Sequence, residues 1–264
     1  MSKKNRHGLS RSIPAGVQRE VRQRCGFGCV ICGLAFYDYE HFDPDFADAL
    51  EHNPAGITLL CSQCNQKRAR NRLSRETVAL ANLSPKCLEQ GFSHEMFDFH
   101  SEPITVKFAG VTFHNCKNLI VLNGYPILKI DPPAEESQPI LLSGFFTDTY
   151  GRKLVDIENN QFSASTETWD VHTIGKRIIF RRGLGEILLS LRTEPPDEIV
   201  IERLDMFSHG VALRGDEDRL EISVDRGQSW SRFAGIHMSN CETGIRIDTH
   251  GFARASNDEV WDAG

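Results

Sequence analysis

Two cysteine pairs, Cys29-Val30-Ile31-Cys32 and Cys61-Ser62-Gln63-Cys64, stand close together near the start of this 264-residue chain. Two C-x-x-C pairs supply the four thiolates of a closed tetrahedral zinc site, which organises a segment too short to bury a core of its own. Two such pairs in one short segment favour zinc over four buried thiols, and disulfides are the weaker rival because nothing else in the chain points to secretion. A closed zinc does no chemistry. The Glu40-His41 dipeptide between the pairs and Asn65 after the last cysteine are therefore free for a second, catalytic centre.

This block resembles the HNH nuclease family, whose motif runs C-x-x-C, an acidic-His pair, then Leu-Cys-x-x-Cys followed by His or Asn and a basic residue. The matching residues are Cys29 to Cys32, Glu40-His41 and Leu60-Cys61-Ser62-Gln63-Cys64-Asn65-Gln66-Lys67, so the likeness covers roughly the first 90 residues. The resemblance implies a ββα fold clasping a divalent metal. It implies Cys29, Cys32, Cys61 and Cys64 as structural zinc ligands and His41 as the general base. Asn65 is implied as a ligand of a catalytic Mg²⁺ or Mn²⁺, with Glu40 as a second ligand. One position departs from the motif: the family's middle asparagine is Gly56 here, and His52 or Asn53 from the adjacent loop are the candidate substitutes. Read alone, His52 is a loop residue, Cys25 is a spare thiol, and Cys87, Cys116 and Cys241 are core residues.

Charge divides unevenly along the chain. Residues 1–100 carry 13 Lys and Arg against 11 Asp and Glu, and the remainder carries 17 against 25. A basic flank (Lys3, Lys4, Arg6, Arg11, Arg19, Arg22, Arg24) and a second patch (Lys67, Arg68, Arg70, Arg72, Arg75) bracket an acidic stretch from Asp38 to Glu51. Basic flanks neutralise phosphates and an acidic centre suits a divalent cation; solvated helix and loop faces are the competing explanation. Lys67, Arg68 and Arg70 are the chosen phosphate contacts. No apolar run reaches the length of a membrane span, and Met-Ser-Lys-Lys-Asn-Arg lacks a signal-peptide core, so a cytoplasmic location is expected. Eight cysteines in a reducing compartment fit metal ligation and burial.

Local patterns predict a helix after Ile13-Pro14, broken at Gly26-Phe27-Gly28; a strand over Ile57–Leu60; a helix from the second cysteine pair; and a helix from Arg75 to about Leu83 capped by Ser74. Ser84 to Pro103 reads as a connector. Beyond it, β-type alternation recurs in Val106–Phe113, Leu119–Leu122, Lys153–Ile157, Arg177–Phe180, Glu186–Leu191, Ile199–Leu204 and Leu220–Val224. The segment Gly110–Leu122 returns as Gly235–Ile247, with glycine, Asn-Cys and isoleucine at the same spacings. That rhythm fits a coil of a β-solenoid or the related strand pairs of a sandwich.

The expected fold class is α+β, with a zinc-bound HNH-like nuclease domain over 1–100 and a mainly β domain for assembly, recognition or control over 101–264. The expected function is metal-dependent hydrolysis of nucleic acid, double-stranded DNA being the favoured partner, as in a restriction or antiphage effector. The β domain is the candidate surface for homo-oligomer formation. Two rivals stand beside this reading: a zinc-dependent nucleic-acid-binding protein without catalysis, and a sensor or structural β protein carrying a degenerate nuclease module.

Overall fold

The computed structural model describes residues 4–100, 103–133, 135 and 138–249. Lys3 of the basic flank, and residues 101 and 102 at the expected boundary, lie outside these. No helix among the described residues is long and apolar enough to cross a membrane.

The chain begins with α1 (Ala15–Cys25), entered through Pro14 at φ −57°, which is already set for a helix start. Gly26 ends it at φ 71°, a left-handed conformation that glycine adopts without a Cβ clash. A two-stranded antiparallel sheet follows, β1 (Asp38–His41) against β2 (Ile57–Leu60), with Glu40 opposite Thr58 and His41 opposite Ile57. Then come α2 (Ser62–Ala69), α3 (Arg75–Leu83) and α4 (Lys86–Gln90). Ser74 caps α3 as expected, its hydroxyl accepting the Thr77 N–H at 3.1 Å. Val21, Cys25, Ile57, Leu59, Leu60 and Val78 bury together as the core of this unit.

The remainder is almost wholly strand: β3 (Phe92–Met96), β4 (Thr105–Phe108), β5 (Val111–His114), β6 (Asn118–Leu122), β7 (Tyr125–Asp131), β8 (Leu141–Thr147), β9 (Lys153–Glu158), β10 (Gln161–Ser165) and β11 (Asp170–Ile174). It continues with β12 (Arg177–Gly183), β13 (Glu186–Glu194), β14 (Glu198–Ser208), β15 (Val211–Asp216), β16 (Arg219–Ser223), β17 (Ser231–Phe233), β18 (Ile236–Ser239) and β19 (Thr243–Ile247). One sheet runs β19-β6-β7-β8-β9-β10-β3; the other runs β11 to β17 in chain order and takes in β4, β5 and β18. Buried side chains from both sheets join in one apolar cluster, where Phe108 stacks on Phe146 and Phe162 meets Phe180 edge-on.

Two expectations need correction. The stretch 84–103 is not a bare connector: it holds α4 and β3, and β3 pairs antiparallel with β10, so residues 92–96 belong to the β-rich part. Five-residue elements are too short to show a period. The run 106–113 is not one strand but the β4–β5 hairpin, turned at Ala109 and Gly110 with φ 45° and 79°.

The internal repeat is a physical stack. β18 lies parallel to β5 with Ile236 opposite Val111, and β19 lies parallel to β6 with Thr243 opposite Asn118. At the corner between them Asn115 donates its amide to Asn240 Oδ1 at 2.7 Å, and Cys116 is disulfide-bonded to Cys241. A solenoid-like step is thus built into a two-sheet packing. The disulfide corrects the reading of these cysteines as separate core thiols. It also removes the cysteine-based argument for a reducing compartment.

The helical unit is fastened to the sheets. Phe27 and Ala35 join the core of the β-rich part. Arg22 on α1 forms two 2.7 Å bonds to Asp170 on β11, and both side chains are buried. Its remaining nitrogen donates to the Tyr39 hydroxyl on β1 at 2.8 Å. Removing one partner of such a pair strands a buried charge. Asp170→Ala is therefore expected to lower stability by about 3–5 kcal/mol in chemical denaturation; an unchanged midpoint would show that the pair holds nothing together.

Candidate metal centre and active site

The first cysteine pair sits in a knuckle closed by Cys29 N–H to Leu34 O at 2.9 Å and Gly33 N–H to Cys29 O at 2.8 Å. Val30 N–H donates to Leu59 O at 3.0 Å, which brings the knuckle against β2. The second pair opens α2, with Cys61 at the N-cap accepting the Cys64 N–H. The sulfurs of Cys29, Cys32, Cys61 and Cys64 lie within 4.8 Å of one another, with Cys32–Cys61 at 3.6 Å and Cys32–Cys64 at 3.9 Å. A tetrahedron with Zn–S bonds of about 2.3 Å has edges of roughly 3.8 Å, so the spacing fits zinc.

Their electrostatics agree. The Cys32 thiol is pushed up by its hydrogen bond to Cys29 and by burial, and Cys64 is pushed up by burial and by the charge on Cys29. Cys29 is pulled down, chiefly by the hydrogen bond from Cys32. Four crowded sulfurs share little negative charge without a cation; a divalent ion allows all four to ionise. Cys25 and Cys87 stand outside this group. Cys25 approaches Thr58 and Asn82, and Cys87 points at the Gly33 carbonyl.

Glu40 and His41 end β1, and α2 packs across the hairpin. Arg68 on α2 reaches back to β1, donating to His41 O at 3.2 Å and lying 3.7 Å from Glu40 Oε1. Asn65 lies three residues earlier, which puts it on the same helix face. It is half-buried, and among the described residues no hydrogen bond engages its side chain. Glu40 and His41 thus sit at the strand end to which Arg68 ties α2, the helix that carries Asn65. Burial raises the Glu40 carboxyl, opposed by the Arg68 charge.

His41 is buried, and its Nε2 lies 3.1 Å from His52 Nδ1. Burial, then the charges of His52 and Arg11, pull its imidazole down to about 4, so it is neutral at pH 7. His52, read from sequence as a plain loop residue, is the side chain that orients His41. Asn53 is engaged elsewhere, accepting the Ala55 N–H at 3.0 Å. Position 56 has no room for an asparagine, because a Cβ there would lie 2.0 Å from the Asp43 carbonyl oxygen. Gly56→Asn is accordingly expected to destabilise the helical unit by more than about 2 kcal/mol and to restore nothing; a variant as stable as the native chain in thermal melts would show that the loop yields.

The charge pattern resolves differently from the sequence reading. Arg68 is not a free phosphate contact: it is paired with Asp45 at 2.5 Å and tied to β1. Lys67 and Arg70 are exposed. In the N-terminal flank, Arg22 is buried, Arg24 donates to Pro54 O and Ile57 O, and Arg19 stacks on Trp169. The acidic stretch is also partly spent, since Asp45 meets Arg68 and Arg75, and Asp48 meets Arg6. Among the described residues, the four cysteines are the sole compact His/Cys/Asp/Glu group able to hold a metal.

No family model, curated protein or solved structure matches the chain.

Proposed function

We propose that the N-terminal unit is an HNH-type, metal-dependent endonuclease module stapled by zinc. One observation supports this reading: the β1–β2 hairpin carrying Glu40-His41 is tied through Arg68 to α2, the helix that carries Asn65 and is opened by the second pair of the four-cysteine cluster. A side-chain amide and a carboxylate are the hard oxygen donors that Mg²⁺ or Mn²⁺ accepts, and here Asn65 and Glu40 would provide them. When bound there, such an ion supplies positive charge to the scissile phosphate and the departing oxygen.

The chain's own residues do the rest. His52 holds His41 through Nε2, which leaves Nδ1 to take the proton of the attacking water. Arg68 ties α2 to β1, fixing Asn65 relative to Glu40 and His41. Double-stranded DNA is the proposed substrate, held through exposed phosphates rather than read by sequence. The β-rich part would serve assembly, recognition or control, including self-association, and a cytoplasmic restriction or antiphage effector is the setting proposed for the whole.

Exposed Lys67 and Arg70 are the proposed phosphate contacts, with Arg68 removed from that role. Lys67→Ala with Arg70→Ala should weaken DNA binding and reduce the slope of log K against log salt by about two contacts' worth. An unchanged slope in binding titrations would return both to ordinary surface charge. One observation favours a second reading, a zinc-dependent nucleic-acid-binding module without catalysis: no compact acidic cluster accompanies Glu40 among the described residues. DNA cleavage with Mg²⁺ or Mn²⁺ separates the two.

A further inference from the structure

The arm formed by β18 and β19 is held to the sheets along one side. Among the described residues β18 pairs only with β5, and β19 is an edge strand paired only with β6. Both pairings are parallel, the slightly weaker kind per residue. From 236 to 247 only Ile245 is buried, while Ile236, Met238 and Ile247 are half-buried, so apolar burial adds modestly to the grip. The corner between the two strands is held more firmly. There Lys117 N–H donates to Cys241 O at 2.9 Å, Asn118 N–H donates to Glu242 O at 3.0 Å, and Asn115 meets Asn240 at 2.7 Å. The Cys116–Cys241 disulfide crosses the same corner and joins positions 125 residues apart. Hydrogen bonds exchange for bonds to water at small net cost, and a covalent bond does not. The arm can therefore leave β5 and β6 only when the disulfide opens.

This corner is open to a reagent. Asn115, Lys117, Asn240 and Glu242, the neighbours of the two cysteines in the chain, are exposed, and a cavity of about 450 Å³ is lined by both cysteines. Cys116 is 2% exposed whereas Cys241 is half-buried, so an incoming thiolate meets Cys241. Exposed disulfides are the labile and regulatory ones. None of the six unbonded cysteines lines this cavity, so the thiol that exchanges here must come from another molecule.

We infer that Cys116–Cys241 is an exchange site for a dithiol reductant, and that its opening releases the β18–β19 arm. One thiolate of the reductant attacks Cys241 Sγ, the bond to Cys116 breaks, and Cys116 leaves as a thiolate that takes a proton from water. The second thiolate of the reductant attacks the reductant's own sulfur in the mixed disulfide, and Cys241 leaves and is protonated in the same way. Two electrons thus pass to the cysteine pair, and the reductant ends as a disulfide. Release of the arm uncovers the backbone edges of β5 and β6, one in each sheet. The assignment does not rest on the nuclease reading, because none of these residues belongs to the helical unit.

The test is amide hydrogen exchange of the full chain, read by mass spectrometry in zinc-containing buffer without denaturant, before and after treatment with dithiothreitol. Alkylation in a denaturing quench reports the bond: Cys116 and Cys241 are expected to be protected before treatment and labelled after it. Amides of 236–247 should then exchange at least about tenfold faster while β12 to β15 keep their rates. Reoxidation with glutathione disulfide should restore the slow rates, and Cys241→Ser should exchange like the reduced protein in either buffer. A disulfide that survives dithiothreitol under these conditions overturns the proposal, as do cysteines that are labelled without reductant. Equal exchange over 236–247 in the two states would also overturn it. So would an equal acceleration of β12 to β15, because the whole β-rich part would then have opened instead of the arm.

Discussion

Cys61→Ser is expected to strip zinc from the protein and unfold the helical unit while the two sheets keep their strands. The ligand set explains the size of the effect. Structural zinc contributes about 10–16 kcal/mol to folding in small modules, more than the whole stability of most domains. Cys61 also caps α2 and so couples the metal to the helix carrying Asn65. The apolar cluster of the sheets draws on this unit only through Phe27, Ala35 and the partly buried Phe36, and Asp170, released from Arg22, can then be solvated, which is why the strands should survive. Elemental analysis of the native protein should find one zinc per chain. Far-UV circular dichroism of the variant should show helix lost and strand retained; a variant with native helix content, or native protein without zinc, contradicts the account.

His41→Ala is expected to lower cleavage by roughly 10²–10⁴-fold, the usual contribution of a general base, with zinc content and fold unchanged. His41 is buried beside Phe46 and His52, so its removal leaves a small cavity at the end of β1. A near-isosteric His41→Asn variant separates packing from proton transfer, since it fills the space without a base of suitable pKa. Asn65→Ala should fail differently, losing activity that higher Mg²⁺ or Mn²⁺ partly restores, because the defect would lie in ion affinity. Equal rates for His41→Ala and the native chain would remove His41 from the mechanism.

What could be read from the chain follows from how local each feature is. The four-cysteine cluster was legible because its members come in two three-residue spacings, and a helix opened by the second pair follows directly. α1, β2 and α3 were legible from Pro14, the apolar Ile57–Leu60 run and the Ser74 cap, all signals within one turn of the element. Partners distant in sequence were not. Arg22 reads as part of a basic flank until Asp170, 148 residues away, is placed against it. Arg68 reads as a phosphate contact until β1 is folded back on α2 to bring Asp45 and Glu40 within reach.

The repeat shows an intermediate case. The matched Asn-Cys steps at Asn115-Cys116 and Asn240-Cys241 were visible, and parallel stacking converts a sequence offset of 125 into side-by-side neighbours. Equal positions in stacked coils face each other, so the matched cysteines already carried the signal for a disulfide. Taken one at a time, neither cysteine carries that signal. Solenoid and sandwich are not exclusive here: the chain combines a stacked step with two packed sheets. His52 shows a related limit: the loop that brings it to His41 turns at Gly56, a residue defined by the space it leaves empty.

The central claim is that Glu40, His41 and Asn65 form a hydrolytic centre, and plasmid cleavage tests it most directly. Purified full-length protein and folded His41→Ala are incubated with supercoiled DNA in Mg²⁺ or Mn²⁺, with chelator controls. The account predicts nicked and linear products from the native chain, none with chelator, and a loss of at least about 100-fold for His41→Ala. Native protein that holds its zinc and binds DNA yet yields no product with either metal would contradict it and leave the binding-module reading in its place.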